Sequence, residues 1–203
     1  MNLIANNCLG AFIYEKNKIQ FSNPFMWSLT KADSLIYVMK HYKSINWENI
    51  ELDKFTNAAS ERCYSIIVDN NVRINYTHYI QGSKTDKERI VGRNVYDYRA
   101  YEYTFNKYTS RVERMLHNDE KPVFLILECT KDLYDYNFDK LKEICECDTQ
   151  YKRIIITQYD ELKKYENDKI KIIIDKNPKN DSGFYTEQFA DLYKENIMEF
   201  INE

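Results

Sequence analysis

From Pro122 onward the chain alternates between continuous apolar runs and amphipathic segments, and this rhythm restricts the fold more than any other feature. Three runs rich in β-branched residues, 123–127, 153–157 and 170–174, are separated by segments with helical periodicity. Strands that are apolar at every position are typical of a parallel sheet covered on both faces. With a further short strand near the N-terminus, the pattern predicts an α/β fold, with a largely parallel sheet and helices on both of its faces.

Two helices joined by an aromatic loop are predicted near the start of the chain. Apolar residues at helical spacing indicate helices over about 8–16 and 31–42. Thr30 and Asp33 precede the second helix in the arrangement of a capping box. Between the helices, the aromatic segment 20–27 is expected to be extended and to fold back over the first helix.

An antiparallel hairpin is predicted as an insertion over about 62–79. Two β-rich runs flank Asp69-Asn70-Asn71, and Asn tolerates the positive φ that a tight hairpin turn needs. The polar segment 81–97 then reads as a surface loop, and a long helix follows over about 101–116, where apolar residues keep a 3.6-residue period.

Size and charge limit the classes of protein to which the chain can belong. Its 203 residues fit a single domain spanning 1–203. The net charge of −3, with no basic cluster, argues against binding of nucleic acid. Because no apolar run approaches the length of a transmembrane helix and no signal segment opens the chain, we expect a soluble, cytoplasmic protein.

The five cysteines do not show the spacing of a metal site. Cys145-Glu146-Cys147 is too short for a usual zinc knuckle, and the odd number favours reduced thiols. The chain also lacks GxGxxG, GxxxxGK[ST], HExxH and Gly-x-Ser-x-Gly motifs, so standard nucleotide and hydrolase sites are not expected. No metal is predicted.

Cys8 is the leading candidate for a nucleophile. It follows the first strand and begins the first helix, and free N–H groups at a helix start favour a thiolate. The preceding Asn6 and Asn7 could hold an oxyanion or a substrate carbonyl. The alternative is that Cys8 is a buried cysteine that packs beside a strand, as free cysteines often do.

His78 is the best candidate for a general base. It ends a predicted strand, and histidine titrates near neutral pH. The alternative is an exposed or tyrosine-packed residue of the strand.

Arg111 and Arg114 lie on the flank of the long helix, where their guanidinium groups could clamp a phosphate or a carboxylate. The alternative for this pair is a solvated helix flank, since Glu102 and Glu113 intersperse the positive charges.

Three motifs resemble those of a bacterial family labelled exopolysaccharide biosynthesis proteins. They are Asn6-Asn7-Cys8-Leu9-Gly10, Ser22-Asn23-Pro24-Phe25 and Thr77-His78-Tyr79, which together span roughly the first 80 residues. The resemblance implies a role in building surface polysaccharides, with Cys8 and His78 at the positions of the early cysteine and the strand-end histidine.

The middle of the chain is similar to a second family, named for papain-like cysteine peptidases. The similarity lies in the helix that contains Arg111 and Arg114 and in the strand that follows Lys121-Pro122. This second family also has an early cysteine and a central histidine, so the resemblance implies a Cys8–His78 pair with hydrolytic chemistry.

Three functional hypotheses follow from the residues and the resemblances. The preferred one is a sugar-modifying or acyl transferase acting on a saccharide or another small molecule, with Cys8 and His78 in the reaction and coenzyme A as a candidate acyl donor. The second is a cysteine hydrolase, and the third is a non-catalytic carbohydrate-binding or assembly protein that uses the aromatic loop. The placement of the Cys8 thiol separates them, because an enzyme needs it near the His78 ring and accessible from a pocket.

Overall fold

Two four-stranded sheets organise the part of the chain that the computed structural model describes, residues 1–56, 62–76, 93–128, 135–176 and 186–202. The strands are β1 (Leu3–Ala5), β2 (Leu29–Thr30), β3 (Ile50–Thr56), β4 (Arg62–Val68), β5 (Val72–Tyr76), β6 (Val123–Leu127), β7 (Lys152–Thr157) and β8 (Ile170–Ile174). The helices are α1 (Leu9–Lys16), α2 (Ala32–His41), α3 (Arg93–Leu116), α4 (Phe138–Glu146) and α5 (Thr186–Asn202), with a 3₁₀ helix at Asp160–Tyr165.

The first sheet is parallel, with strand order β1-β6-β7-β8. Successive side chains of β6 enter different apolar clusters: Leu125 packs with residues of α1 and α5, whereas Phe124 and Ile126 pack with residues of α2, α3 and α4. Burial on both faces explains the uninterrupted apolar runs 123–127 of β6 and 154–156 of β7. The predicted α/β fold, a parallel sheet with helices on both faces, is confirmed.

The second sheet is antiparallel, with strand order β2-β5-β4-β3. The predicted hairpin forms its centre as β4 and β5, and Asp69 and Asn70 adopt the left-handed φ values of 50° and 58° at the turn. The hairpin is therefore part of a larger sheet, in which β3 pairs with β4 and the two-residue β2 pairs with β5. Residues 77–79 of the predicted hairpin lie outside the described residues.

The helix predictions are confirmed for the positions of α1 and α2, but the capping box is wrong. The N-cap of α2 is Lys31, without a side-chain cap, and the Thr30 hydroxyl has no hydrogen-bond partner among the described residues. The reason is that Thr30 belongs to β2. The long helix begins at Arg93, so its first turns occupy part of the predicted loop 81–97; the remainder of that loop, 81–92, lies outside the described residues.

Both sheets contribute to one apolar cluster, which includes Phe124 and Ile155 of the parallel sheet and Ile66 and Ile74 of the antiparallel sheet. The single domain expected over 1–203 stays a prediction. Among the described residues, no helix combines the length and the apolar character needed to cross a membrane.

Candidate functional site

Polar residues follow the strands of the parallel sheet at the edge where those strands end. We call this edge, formed by Asn6, Asn7, Cys8, Glu128, Thr157, Gln158 and Asp175, the carboxyl edge. Open α/β sheets bind their ligands beyond the carboxyl ends of the strands. The carboxyl edge is therefore the candidate site, and the predicted residues Asn6, Asn7 and Cys8 belong to it.

Asn6 extends the pairing of β1 with β6. Its side-chain Nδ2 donates to the Leu127 carbonyl at 2.8 Å, and its Oδ1 accepts from the Leu127 N–H at 3.0 Å. Its backbone carbonyl accepts from the Thr30 N–H at 3.0 Å, which links the carboxyl edge to β2. Asn6 thus holds the two sheets together here, and its contact with a substrate stays a prediction.

Asn7 lies directly before the N-cap residue of α1, and its Oδ1 accepts a hydrogen bond from the Leu9 N–H in the first turn at 2.9 Å. This contact satisfies one of the N–H groups that a helix leaves open at its start. The oxyanion role suggested for Asn7 also stays a prediction.

Cys8 is the N-cap residue of α1, and its side chain is only 4% exposed. Burial raises the pKa of the thiol from its ordinary value of 9.0 to about 12, and a hydrogen bond with backbone lowers it by less. The expectation that the helix start lowers this pKa is wrong, because the desolvation of the charged form outweighs the favourable contact. At neutral pH the group is a neutral thiol.

His78 lies outside the described residues, so a Cys8–His78 pair stays a prediction. The described part of β5 ends at Tyr76, whose hydroxyl donates to the Pro24 carbonyl at 2.5 Å. The strand that leads to His78 is therefore bonded to the aromatic loop.

Arg111 and Arg114 both hold the aromatic loop, residues 20–27. Arg111 Nη1 donates to the Met26 carbonyl at 2.5 Å, and Arg114 Nε donates to the Phe21 carbonyl at 2.7 Å. The Arg111 guanidinium also lies 5.5 Å from the centre of the Phe21 ring. Arg111 is only 3% exposed, so it does not lie on a solvated flank of the helix. Binding of an anion by Arg111 and Arg114 stays a prediction.

The aromatic loop folds back over α1, as expected, but residues 24–27 form a turn and are not extended. The Trp27 and Phe12 rings meet edge to face with centroids 4.9 Å apart, and Phe21 packs against Tyr14. Asn23 fixes the loop to the outer side of β1, because its Nδ2 donates to the Leu3 carbonyl at 2.8 Å.

Glu128 is a buried carboxylate of the carboxyl edge that our sequence reasoning missed. Its Oε2 accepts from the Thr157 hydroxyl at 2.6 Å and from the Gln158 N–H at 2.7 Å, and its Oε1 accepts from Gln158 Nε2 at 2.8 Å. Glu128 is 3% exposed. The neighbouring strands β6 and β7 are thus joined at their ends by a network of polar side chains.

Asp175 follows β8 and is the second missed carboxylate, with 2% of its surface exposed. Its N–H donates to the Thr157 carbonyl at 2.9 Å. Burial and the Asp175 carboxylate both raise the pKa of Tyr193 on α5, which places that phenol close to the carboxyl edge. A signal was present in the sequence, since Glu128 and Asp175 each come directly after a buried apolar run.

A surface groove of about 520 Å³, which shares no lining residue with the carboxyl edge, lies between the last turn of α2 and the length of α4. Lys40, Glu143 and Cys147 line it together with other charged residues. Its charges are of both signs, and Glu143 already pairs with Lys140 at 3.0 Å. This surface groove does not contain any of the predicted site residues.

Within the described ranges, no group of three or more His, Cys, Asp or Glu side chains is arranged to hold a metal ion. A scan against protein-family models finds no match for the chain, and a search of curated proteins finds none either.

Proposed function

We propose that the protein is a sugar-modifying transferase of bacterial surface polysaccharide biosynthesis, and that its substrates meet at the carboxyl edge. The observation that carries the proposal is the buried Glu128 carboxylate, held by Thr157 and Gln158 at the ends of neighbouring strands. Carboxylate, amide and hydroxyl groups in fixed positions are suited to binding sugar hydroxyls. The polysaccharide context rests on the resemblance of the motifs around Cys8 and His78.

The proposed reaction is acyl transfer from a thioester to a sugar hydroxyl. The C–S bond of the thioester breaks, a C–O bond to the sugar forms, and the hydroxyl proton passes through His78 to the departing thiolate. Since burial raises the pKa of Cys8 to about 12, we assign Cys8 to the acceptor site as a neutral thiol rather than to a covalent acyl intermediate.

Coenzyme A carries phosphates besides its thioester, and phosphates are usually bound by cations or helix N-termini. The two arginines suggested for an anion, Arg111 and Arg114, donate to loop carbonyls instead. These two contacts give no support for a phosphate site, and we specify the donor only as an acyl thioester.

An assay of the purified protein tests the proposal. The protein is incubated with acetyl-coenzyme A or with the phosphate-free thioester S-acetyl-N-acetylcysteamine, together with methyl pyranosides, and the products are identified by mass spectrometry. We expect an acetylated sugar from a thioester. Glu128→Gln should lower the rate, whereas the exposed Glu161→Gln should not.

The outcomes distinguish the three hypotheses. Acetate formed at the same rate without a sugar would indicate a hydrolase, and an acetylated Cys8 peptide would show that the thiol is a nucleophile. If neither product forms and sugars still bind, the transferase is refuted in favour of a carbohydrate-binding protein. Glu128→Gln must keep the wild-type circular dichroism spectrum for its rate to count.

A further inference from the structure

Trp27 adopts an unfavourable backbone conformation. Its φ is 58°, in the left-handed region that glycine populates readily and that bulky residues rarely adopt. A glycine at this position would remove the strain but would also remove the indole. Strained residues of this kind persist where the surrounding structure holds them, and they cluster at ligand sites.

Two contacts hold the backbone on either side of Trp27. Arg111 donates to the carbonyl oxygen of Met26, which belongs to the peptide unit directly before Trp27. The Ser28 hydroxyl, on the other side, donates to the Phe25 carbonyl at 2.7 Å. Because Arg111 and Ser28 are buried, the loop presents the Trp27 side chain from a fixed backbone.

Trp27 is anchored beside the start of α1. Its ring contacts Phe12, whose N–H donates to the Cys8 carbonyl, so the pair lies one helical turn from the carboxyl edge. Trp27 is partly exposed as a residue, in contrast to the other tryptophan, Trp47, which is 4% exposed.

We propose that Trp27 is an aromatic platform on which the pyranose ring of the saccharide substrate stacks. This inference rests on the proposed function and adds a binding residue to its site. A sugar ring has an apolar face of C–H groups, which suits an indole, and hydroxyl groups, which suit the polar carboxyl edge. A platform with a fixed backbone loses little conformational freedom on binding.

Fluorescence of a single-tryptophan protein tests the platform. In Trp47→Phe, Trp27 is the sole tryptophan, and its emission is followed during titration with the methyl β-pyranosides of glucose, galactose and N-acetylglucosamine. Glycerol at equal concentration is the control for solvent effects. We expect a saturable change with at least one pyranoside and none with glycerol; a flat titration with all three sugars would overturn the proposal.

Affinity measurements by calorimetry give a second readout that does not need Trp47→Phe to fold. Trp27→Ala in the otherwise unchanged chain should bind the same pyranoside about tenfold more weakly, and Trp27→Phe should keep most of the affinity. Phe105→Ala, which removes an exposed aromatic residue of α3, should bind like the wild type. Equal affinity of Trp27→Ala and the wild type would show that the Trp27 side chain serves packing and not sugar binding.

Failure of this inference differs from failure of the proposed function. If acetyl transfer occurs and Trp27→Ala leaves the KM for the sugar unchanged, the transferase stands and the platform is wrong. If pyranosides bind through Trp27 but no acyl group is transferred, the platform stands and the transferase is wrong.

Discussion

The buried thiol of Cys8 should react very slowly with alkylating reagents at neutral pH. Its pKa is raised from 9.0 to about 12, and only the thiolate reacts. The difference leaves about a thousandfold less thiolate than an unperturbed cysteine has at neutral pH. Because only 4% of Cys8 is exposed, restricted access should slow the reaction further.

The assay compares the folded and the urea-unfolded protein during brief exposure to iodoacetamide, with alkylated peptides quantified by mass spectrometry. Cys8 in the folded protein should be alkylated at least about a thousandfold more slowly than in the unfolded chain. The rate of Cys8 alkylation should still rise about tenfold per pH unit above neutral pH, since the pH remains far below the pKa of the thiol.

Cys145 provides an internal reference in the same peptide map. Burial raises its pKa to about 11, and Arg153 partly opposes the effect, so its thiolate should be suppressed about a hundredfold. His78→Ala should leave the Cys8 rate unchanged. If Cys8 reacted as fast as in the unfolded chain, or if His78→Ala slowed it, the argument from burial would be refuted and a Cys8–His78 thiolate pair favoured.

Four further substitutions have effects that urea denaturation can measure. The Cys8 thiol keeps its proton in the folded state above pH 9, where the unfolded thiol ionises. Its contribution to stability is therefore full below pH 9 and falls as the pH rises to about 12. Cys8→Ala should reduce this loss of stability at alkaline pH, and an unchanged dependence of the free energy of unfolding on pH would contradict the prediction. Thr30→Val removes a buried hydroxyl without a partner among the described residues, so stability should stay equal or rise by about 1 kcal/mol, and a clear loss would count against this reasoning. Arg153→Met removes the donor to three carbonyls at the end of α4 and should lower the free energy of unfolding by about 3 kcal/mol, more than Arg153→Lys does. Gly10→Ala would place a Cβ 2.7 Å from Ala5 Cβ and should cost about 1–3 kcal/mol, and the added substitution Ala5→Gly should restore part of the loss.

The parallel sheet could be predicted because burial on both faces leaves a local signal, a short run with no polar position. β6 shows that signal along its whole length, and β7 shows it over 154–156, between the polar residues Arg153 and Thr157. The outer strands of the antiparallel sheet leave no comparable signal. β2 has two residues, and β3 alternates apolar residues with Glu51 and Asp53, so pairing with β5 and β4 defines these strands.

The candidate site was predictable in position but not in its contacts. Cys8 could be placed at the end of the first strand from the local pattern alone. That Asn6 bonds to Leu127, or Arg111 to Met26, depends on backbone carbonyls 121 and 85 residues away along the chain. The pKa of Cys8 is raised, although a lowered value was expected, because segments distant in the sequence bury the thiol. Such burial cannot be recognised from the local sequence.

The contacts around the Asn6-Asn7-Cys8 turn change which residue of the carboxyl edge we expect to meet a substrate. Asn6 joins β1 to β6, Asn7 accepts a hydrogen bond from the first turn of α1, and Cys8 is a neutral buried thiol, so each has a role in the fold without any reaction. Glu128 also joins the ends of β6 and β7, but burying a carboxylate is unfavourable and packing of the fold does not require one there. We therefore expect Glu128→Gln to lower transferase activity more than Cys8→Ala does, and the opposite order would return the reaction to the thiol.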